Sequence, residues 1–129
     1  MTCILYVDDS ATQLESVKRA LLTKNLEVRT ASTVDDAVAH MVDGKVDVAI
    51  IDYHMPGATG TEVLAEIRRQ SNPPSNVRFY IYTSDQKMQA GYRQHGFHGA
   101  FLRKGDAQAL LTQLEPVLRL LELNKLSKR

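Results

Sequence analysis

The sequence predicts an α/β fold: a doubly wound, five-stranded parallel sheet of order 2-1-3-4-5 with helices on both faces. Two observations carry that prediction. Short strand-forming apolar runs alternate with segments of helical period along 129 residues, the pattern of repeated strand–helix units. The first run, Cys3-Ile4-Leu5-Tyr6-Val7, is apolar throughout, as a strand covered on both faces must be. Right-handed crossovers then leave few topologies, and this strand order is the expected one. The length is a little under one typical domain of roughly 150 residues. With no internal repeat or linker, a single domain is expected over 1–123, followed by a basic tail over 124–129.

The elements follow in order. Ser10 opens the first helix, with Gln13 placed to complete a capping box, and Leu14, Val17 and Leu21 give it one apolar face. Residues 26–30 alternate as a half-buried strand. Val34, Ala37, Val38 and Met41 fall at i, i+3, i+4 and i+7 of a second helix, which Gly44 stops. A third strand over 46–52 ends at Asp52. Val63, Leu64 and Ile67 mark a third helix, closed by the polar, proline-containing loop 71–76. A fourth strand over 77–82 leads to a helix from Asp85 to about His95. A short fifth strand over 100–102 follows, and Asp106 can cap the last helix. That helix carries a wide stripe of Leu110, Leu111, Leu114, Val117, Leu118 and Leu121, and Pro116 inside it is expected to kink it.

Composition narrows the function. Sixteen Lys and Arg against fifteen Asp and Glu leave a net charge of +1, without the bulk positive field of a dedicated nucleic-acid binder. Hydrophobic residues make up 43% and charged residues 24%, an ordinary globular balance that argues against disorder. Cys3, the single cysteine, is expected as a buried, inert thiol. The N-terminus lacks a basic leader and no stretch approaches the ~18 apolar residues of a membrane span, so the expected location is the cytoplasm. No glycine-rich turn follows the first strand, which argues against a dinucleotide site. His95 and His98 flank Gly96 without a cysteine or acidic partner at ligand spacing, so no metal site is expected there.

The strand ends hold the chemistry. In the expected topology the first and third strands are neighbours, and Asp8, Asp9 and Asp52 converge at their carboxyl ends, where such sheets bind ligands. Like charges that close disfavour joint ionisation, and a hard divalent cation such as Mg2+ would relieve them while leaving positions for phosphate oxygens. Thr83 after the fourth strand and Lys104 after the fifth reach the same edge. A hydroxyl and an ammonium facing a metal-bound carboxylate make a coherent phosphoryl site, with Asp52 as nucleophile. The plainer alternative is that Asp8 and Asp9 cap the first helix, Asp52 ends a strand, Thr83 caps the next helix and Lys104 is a solvated surface lysine.

Taken together, Val7-Asp8-Asp9, Asp52-x-x-Met55-Pro56-x-x-x-Gly60, Thr83-Ser84 and Phe101-Leu102-Arg103-Lys104 resemble the receiver domain of two-component response regulators, of the chemotaxis-receiver type. The likeness covers nearly the whole chain and implies a flavodoxin-like fold. It implies that Asp52 is the phosphoacceptor, taking a phosphoryl group from a sensor histidine kinase or phosphotransfer protein. Asp9 would ligate Mg2+ directly, Asp8 mainly through water, and Asp52 and the backbone carbonyl of His54 would complete the protein ligands. Lys104 would pair with the phosphoryl group and Thr83 would move to bond it. Phe101 falls at the switch aromatic, and having no hydroxyl it can be buried without a polar partner. The signal would pass to the face of the fourth helix, fifth strand and fifth helix, where Met88, Tyr92 and Gln108 are the exposed candidates, Tyr92 reading equally as core filler, and where a homodimer would form.

Two positions depart from the family pattern. Gly105 replaces the usual cis-proline after the lysine, so the loop is expected to be trans and differently shaped. His54 stands at a position that in this family borders the path of the water attacking the phosphoryl group, and the expectation is that it tunes phosphoryl lifetime. The expected function is a phosphorylation-activated switch controlling a partner or output domain, with no turnover of an external substrate. The alternative is a phosphorylation-independent interaction module. A Mg2+-dependent phosphohydrolase is disfavoured because Ser10 stands where such enzymes place a second aspartate after Asp8. The leucine-rich end of the last helix reads as helix overrun or as a linker helix.

Overall fold

The computed structural model describes residues 1–55 and 57–127. Pro56 of the Met-Pro turn and Lys128 and Arg129 of the basic tail lie outside the described residues. In chain order the elements are β1 (Cys3–Val7), α1 (Ala11–Leu22), β2 (Glu27–Ala31), α2 (Val34–Met41), β3 (Val48–Asp52), β4 (His54–Met55), β5 (Ala58–Thr59), α3 (Gly60–Ser71), β6 (Arg78–Tyr82), α4 (Gln86–Ala90), β7 (Gly99–Phe101) and α5 (Ala107–Ser127).

The five long strands form one sheet in the order β2-β1-β3-β6-β7, every pairing parallel. With the small β4–β5 hairpin set aside, this is the predicted 2-1-3-4-5 order. Its register brings Asp52 of β3 opposite Tyr82 of β6, and Tyr82 opposite Phe101 of β7. The sheet alternates its side chains into two cores, as the period of two in a strand requires. Leu5, Val7, Ala49 and Ile51 pack with Val38 and Met41 of α2 and Val63, Leu64 and Ile67 of α3. Ile4, Tyr6, Val48 and Ile50 pack on the other face with Val17 and Leu21 of α1 and Leu110 and Leu114 of α5. Among the described residues no helix is long and apolar enough to cross a membrane.

Several expectations change in detail. The fourth helix does not reach His95: α4 starts at its Asp85 cap and ends at Ala90. Only Met88 is buried on it, and Gly91 weakens the segment just where a second turn would begin. Residues 91–96 instead close short turns, Gln94 to Gly91, His95 to Tyr92 and Gly96 to Arg93. Met88 is therefore a core residue rather than an exposed one, and Tyr92 is half-buried against the same core, leaving Gln108 as the exposed member of the three.

Pro116 does not interrupt α5, because Leu110, Leu111 and Leu114 before it and Leu121 after it are all buried and pin the helix on both sides. The capping box stands on α3, not on α1. There the Thr59 hydroxyl accepts from Glu62 N–H while Glu62 reaches back to Thr59. At α1 the Ser10 hydroxyl does accept from Gln13 N–H, but the Ser10 N–H goes to Asp8, so Gln13 has no donor to return to.

His98 lies just before β7. Phe79 N–H donates to its Nδ1 at 2.9 Å, and His98 N–H donates to Phe79 O at 2.8 Å. That acceptor role needs an unprotonated Nδ1. Partial desolvation of the ring, then the charges of Arg78 and Arg68, hold its pKa below the ordinary histidine value. The unfolded chain therefore binds this proton more readily than the native one, so stability contributed by His98 is present above the unfolded pKa of about 6.5 and is lost as pH falls below it. Denaturant melts of His98→Ala between about pH 5 and 7 are expected to show a flatter pH dependence than wild type.

Candidate functional site

The carboxyl ends of β1, β3, β6 and β7 meet at one edge of the sheet. Asp8 follows β1, and its N–H donates to Ala31 O at 3.0 Å, extending the strand by one residue so that its side chain points along the sheet edge. Asp52 is the last residue of β3. Carboxylate oxygens of Asp8, Asp9 and Asp52 lie within 4.8 Å of one another, with Asp8 and Asp52 buried and Asp9 exposed. Gly60 lets α3 begin against this corner. A Cβ there would sit 2.9 Å from Asp52 O and 3.0 Å from Tyr53 Cα, where only backbone could yield.

Lys104 closes the cluster. Its Nζ lies 3.1 Å from Asp8 Oδ2 and 3.2 Å from Asp52 Oδ1. The substitution of Gly105 for proline does not displace it. Among the described residues there is no cis peptide bond, and Arg103 (φ +60°) and Gly105 (φ +99°) turn the chain back through positive φ. Asp106 N–H then donates to Arg103 O at 3.0 Å, and Asp106 caps α5 through Ala109 N–H. The electrostatics follow from the geometry. Burial and the neighbouring Asp8 charge push the Asp52 pKa up, against the pull of Lys104. Burial works against the Lys104 ammonium, but the two carboxylates outweigh it and hold its pKa above the ordinary value.

The remaining predicted residues are placed as follows. His54 is exposed on β4, its N–H 3.4 Å from Asp52 Oδ1 and its ring edge-on to Tyr53. Gly60 N–H donates to Tyr53 O, and hydrogen-bonded pairs alternate along an antiparallel ladder. The 54/59 pair is therefore a non-bonded one, which leaves the His54 carbonyl free of the hairpin. Thr83 is buried one residue beyond the Asp52–Tyr82 pair, and its hydroxyl accepts from Asp85 N–H at 3.0 Å. The hydroxyl thus serves the turn into α4 and is not bonded to the acidic cluster. Thr83 N–H reaches Phe101 O at 3.4 Å. Phe101 is only 3% exposed and its ring stacks on Tyr80, centroids 4.5 Å apart and planes 17° from parallel.

Two tyrosines of this site were not read from the sequence. Tyr6 donates its hydroxyl to Asp8, and Tyr82 donates its own to Arg103 O at 3.2 Å while its ring lies under Lys104 Nζ, 5.8 Å from centroid to nitrogen. The available signal was a phenol inside an aliphatic strand: Tyr6 sits two residues before Asp8, hence on the same strand face.

The donor set fits a small hard cation. Three carboxylates and a free backbone carbonyl are oxygen ligands of the kind Mg2+ takes, and the exposed Asp9 leaves room for water. Residues 4–115 match the response regulator receiver domain family. The hydrogenase transcriptional regulatory protein HoxA of Cupriavidus necator is 33% identical over 102 residues, 78% of this chain but only 20% of that protein. Protein PilH of Pseudomonas aeruginosa is 26% identical over 92% of this chain and 98% of its own. Chemotaxis response regulator CheY4 of Vibrio cholerae superposes with a TM-score of 0.77 at 30% identity, covering 91% of this chain and 98% of that one. The chain belongs to the response regulator receiver domain family, the signalling switches of two-component systems.

Proposed function

We propose that Asp52 accepts a phosphoryl group from a phosphohistidine on a sensor histidine kinase or phosphotransfer protein, and that the modified chain controls a partner or output domain. The observation that supports this most is the convergence of three carboxylates with the Lys104 ammonium at the strand ends, on the one edge where this topology places ligands. Asp52 Oδ1 faces Lys104 and His54 N–H, and Oδ2 would be the attacking oxygen. Attack forms an Asp52 acyl phosphate as the donor's phosphorus–nitrogen bond breaks, and the nitrogen leaves with its electron pair. Lys104 then pairs with a phosphoryl oxygen. Thr83 gives up its Asp85 contact and donates its hydroxyl to another.

The family holds Mg2+ at its acidic pocket. Here Asp9, Asp52 and the His54 carbonyl would hold the ion directly and Asp8 through water, and the ion supplies charge neutralisation for the transferring group. Movement of Thr83 is felt at Phe101 through the backbone bond between them, and so at the face made by α4, β7 and α5. Gln108 is exposed on that face, where a homodimer or an output domain would dock. His54, exposed beside Asp52, tunes how long the phosphoryl group survives.

The test uses Mg2+ and a small acyl-phosphate donor, read by intact mass. One phosphate is expected on the protein, and chelating the metal is expected to prevent its addition. No addition in the presence of Mg2+ would point instead to a phosphorylation-independent interaction module.

A further inference from the structure

Tyr6 is fully buried in β1, and its hydroxyl donates to Asp8 Oδ2, the same oxygen that faces Lys104. Ser10 N–H holds the other oxygen, Oδ1, at 3.0 Å. Both oxygens of Asp8 are thus engaged within the chain, while Asp9 beside it is exposed. The phenol is also fixed in place. Its ring meets Tyr82 edge-on, centroids 6.1 Å apart, within the core shared with Ile4, Ile50 and Leu110. A buried hydroxyl needs a partner, and Asp8 is the only one that Tyr6 has among the described residues.

We propose that Tyr6 is a positioning residue that sets the cation affinity of the acidic cluster. This rests on the cation site proposed above. By donating into Asp8 Oδ2, the phenol stabilises the carboxylate charge, makes that oxygen a weaker ligand and directs it toward Lys104. A hydrated Mg2+ needs only one or two carboxylates and keeps several waters. The ion would then be held directly by Asp9 and Asp52, with Asp8 reaching it through water because its own oxygens are occupied. The same hydrogen bond keeps the ion-free cluster from repelling itself open. Tyr6 thus trades cation affinity for stability of the ion-free state.

The sign of the effect is what tests it. Tyr6→Phe keeps the ring and removes only the hydroxyl, so Asp8 Oδ2 becomes a stronger and more available ligand. By calorimetric titration Mg2+ is expected to bind the variant about tenfold more tightly, the scale of one lost hydrogen bond to a charged group. Without Mg2+ its unfolding midpoint is expected to fall. In an Asp8→Asn background, Tyr6→Phe is expected to leave Mg2+ affinity unmoved, which a merely structural role for the ring would not produce. A chain carrying 3-fluorotyrosine at position 6, whose more acidic hydroxyl is a stronger donor, retains the native packing and is expected to bind Mg2+ more weakly than wild type. Mg2+ binding by folded Tyr6→Phe that is unchanged or weaker, or an equal shift in the absence of the Asp8 carboxylate, would overturn the role of Tyr6 alone. Absence of Mg2+ binding by wild type would overturn the cation site and this role together.

Discussion

Lys104→Ala is expected to destabilise the Mg2+-free protein by about 3 kcal/mol, because it leaves two buried carboxylates facing each other without their cation. Asp8 and Asp52 are 1% and 4% exposed, and Lys104 Nζ is within 3.2 Å of both. For a domain of this size the unfolding midpoint should fall by roughly 10 °C. Mg2+ should recover much of the loss, since the ion can take over the neutralising role. In an Asp8→Asn background the same substitution should cost less, the difference being the coupling between the two side chains. On the proposed function, transfer from an acyl-phosphate donor should also slow by about 100-fold or more, the scale of removing one electrostatic donor from a transition state. A midpoint unchanged in Mg2+-free buffer would contradict the assignment of Lys104 as the cluster's counter-ion.

Phe101→Ala is expected to cost about 3–5 kcal/mol, the range for truncating a buried aromatic side chain. The ring is 3% exposed and stacks on Tyr80, itself buried, so truncation leaves a cavity at the β6–β7 boundary and removes an aromatic pair. The fit there is tight. A Cβ at Gly99 would lie 2.6 Å from Tyr80 Cε1, so the backbone of β7 is drawn close against the same ring. Phe101→Leu, which refills most of the space, should cost about 1.5 kcal/mol or less. Denaturant melts decide between these values, and an alanine variant as stable as wild type would show that the stack is not part of the folded core.

The strand ends were legible because a buried parallel strand leaves an unmistakable apolar run, and its first polar residue marks the edge where ligands bind. Asp8 and Asp52 could therefore be brought together from the strand ends and the expected strand order, with Lys104 two residues beyond the fifth run. What was not legible has local causes. The β4–β5 hairpin has strands of two residues, too short to show any period. The end of α4 depended on how little the segment after Met88 could bury, which periodicity does not report. Gly105 raised the expectation of a differently shaped loop, and the loop is indeed trans, yet positive φ at Arg103 and Gly105 returns Lys104 to the cluster. Tyr6 read as one more strand residue because hydrophobicity hides a hydroxyl. Its bond to Asp8 became visible only once both side chains were placed on the same face of the extended chain.

The central claim is that the phosphoryl group goes to Asp52. Intact mass and peptide mapping after incubation with Mg2+ and an acyl-phosphate donor test it directly, with Asp52→Asn alongside wild type. One phosphate on the Asp52 peptide of wild type, and none on Asp52→Asn, is the predicted result. Equal labelling of both proteins, or a label mapped to another residue, would contradict it.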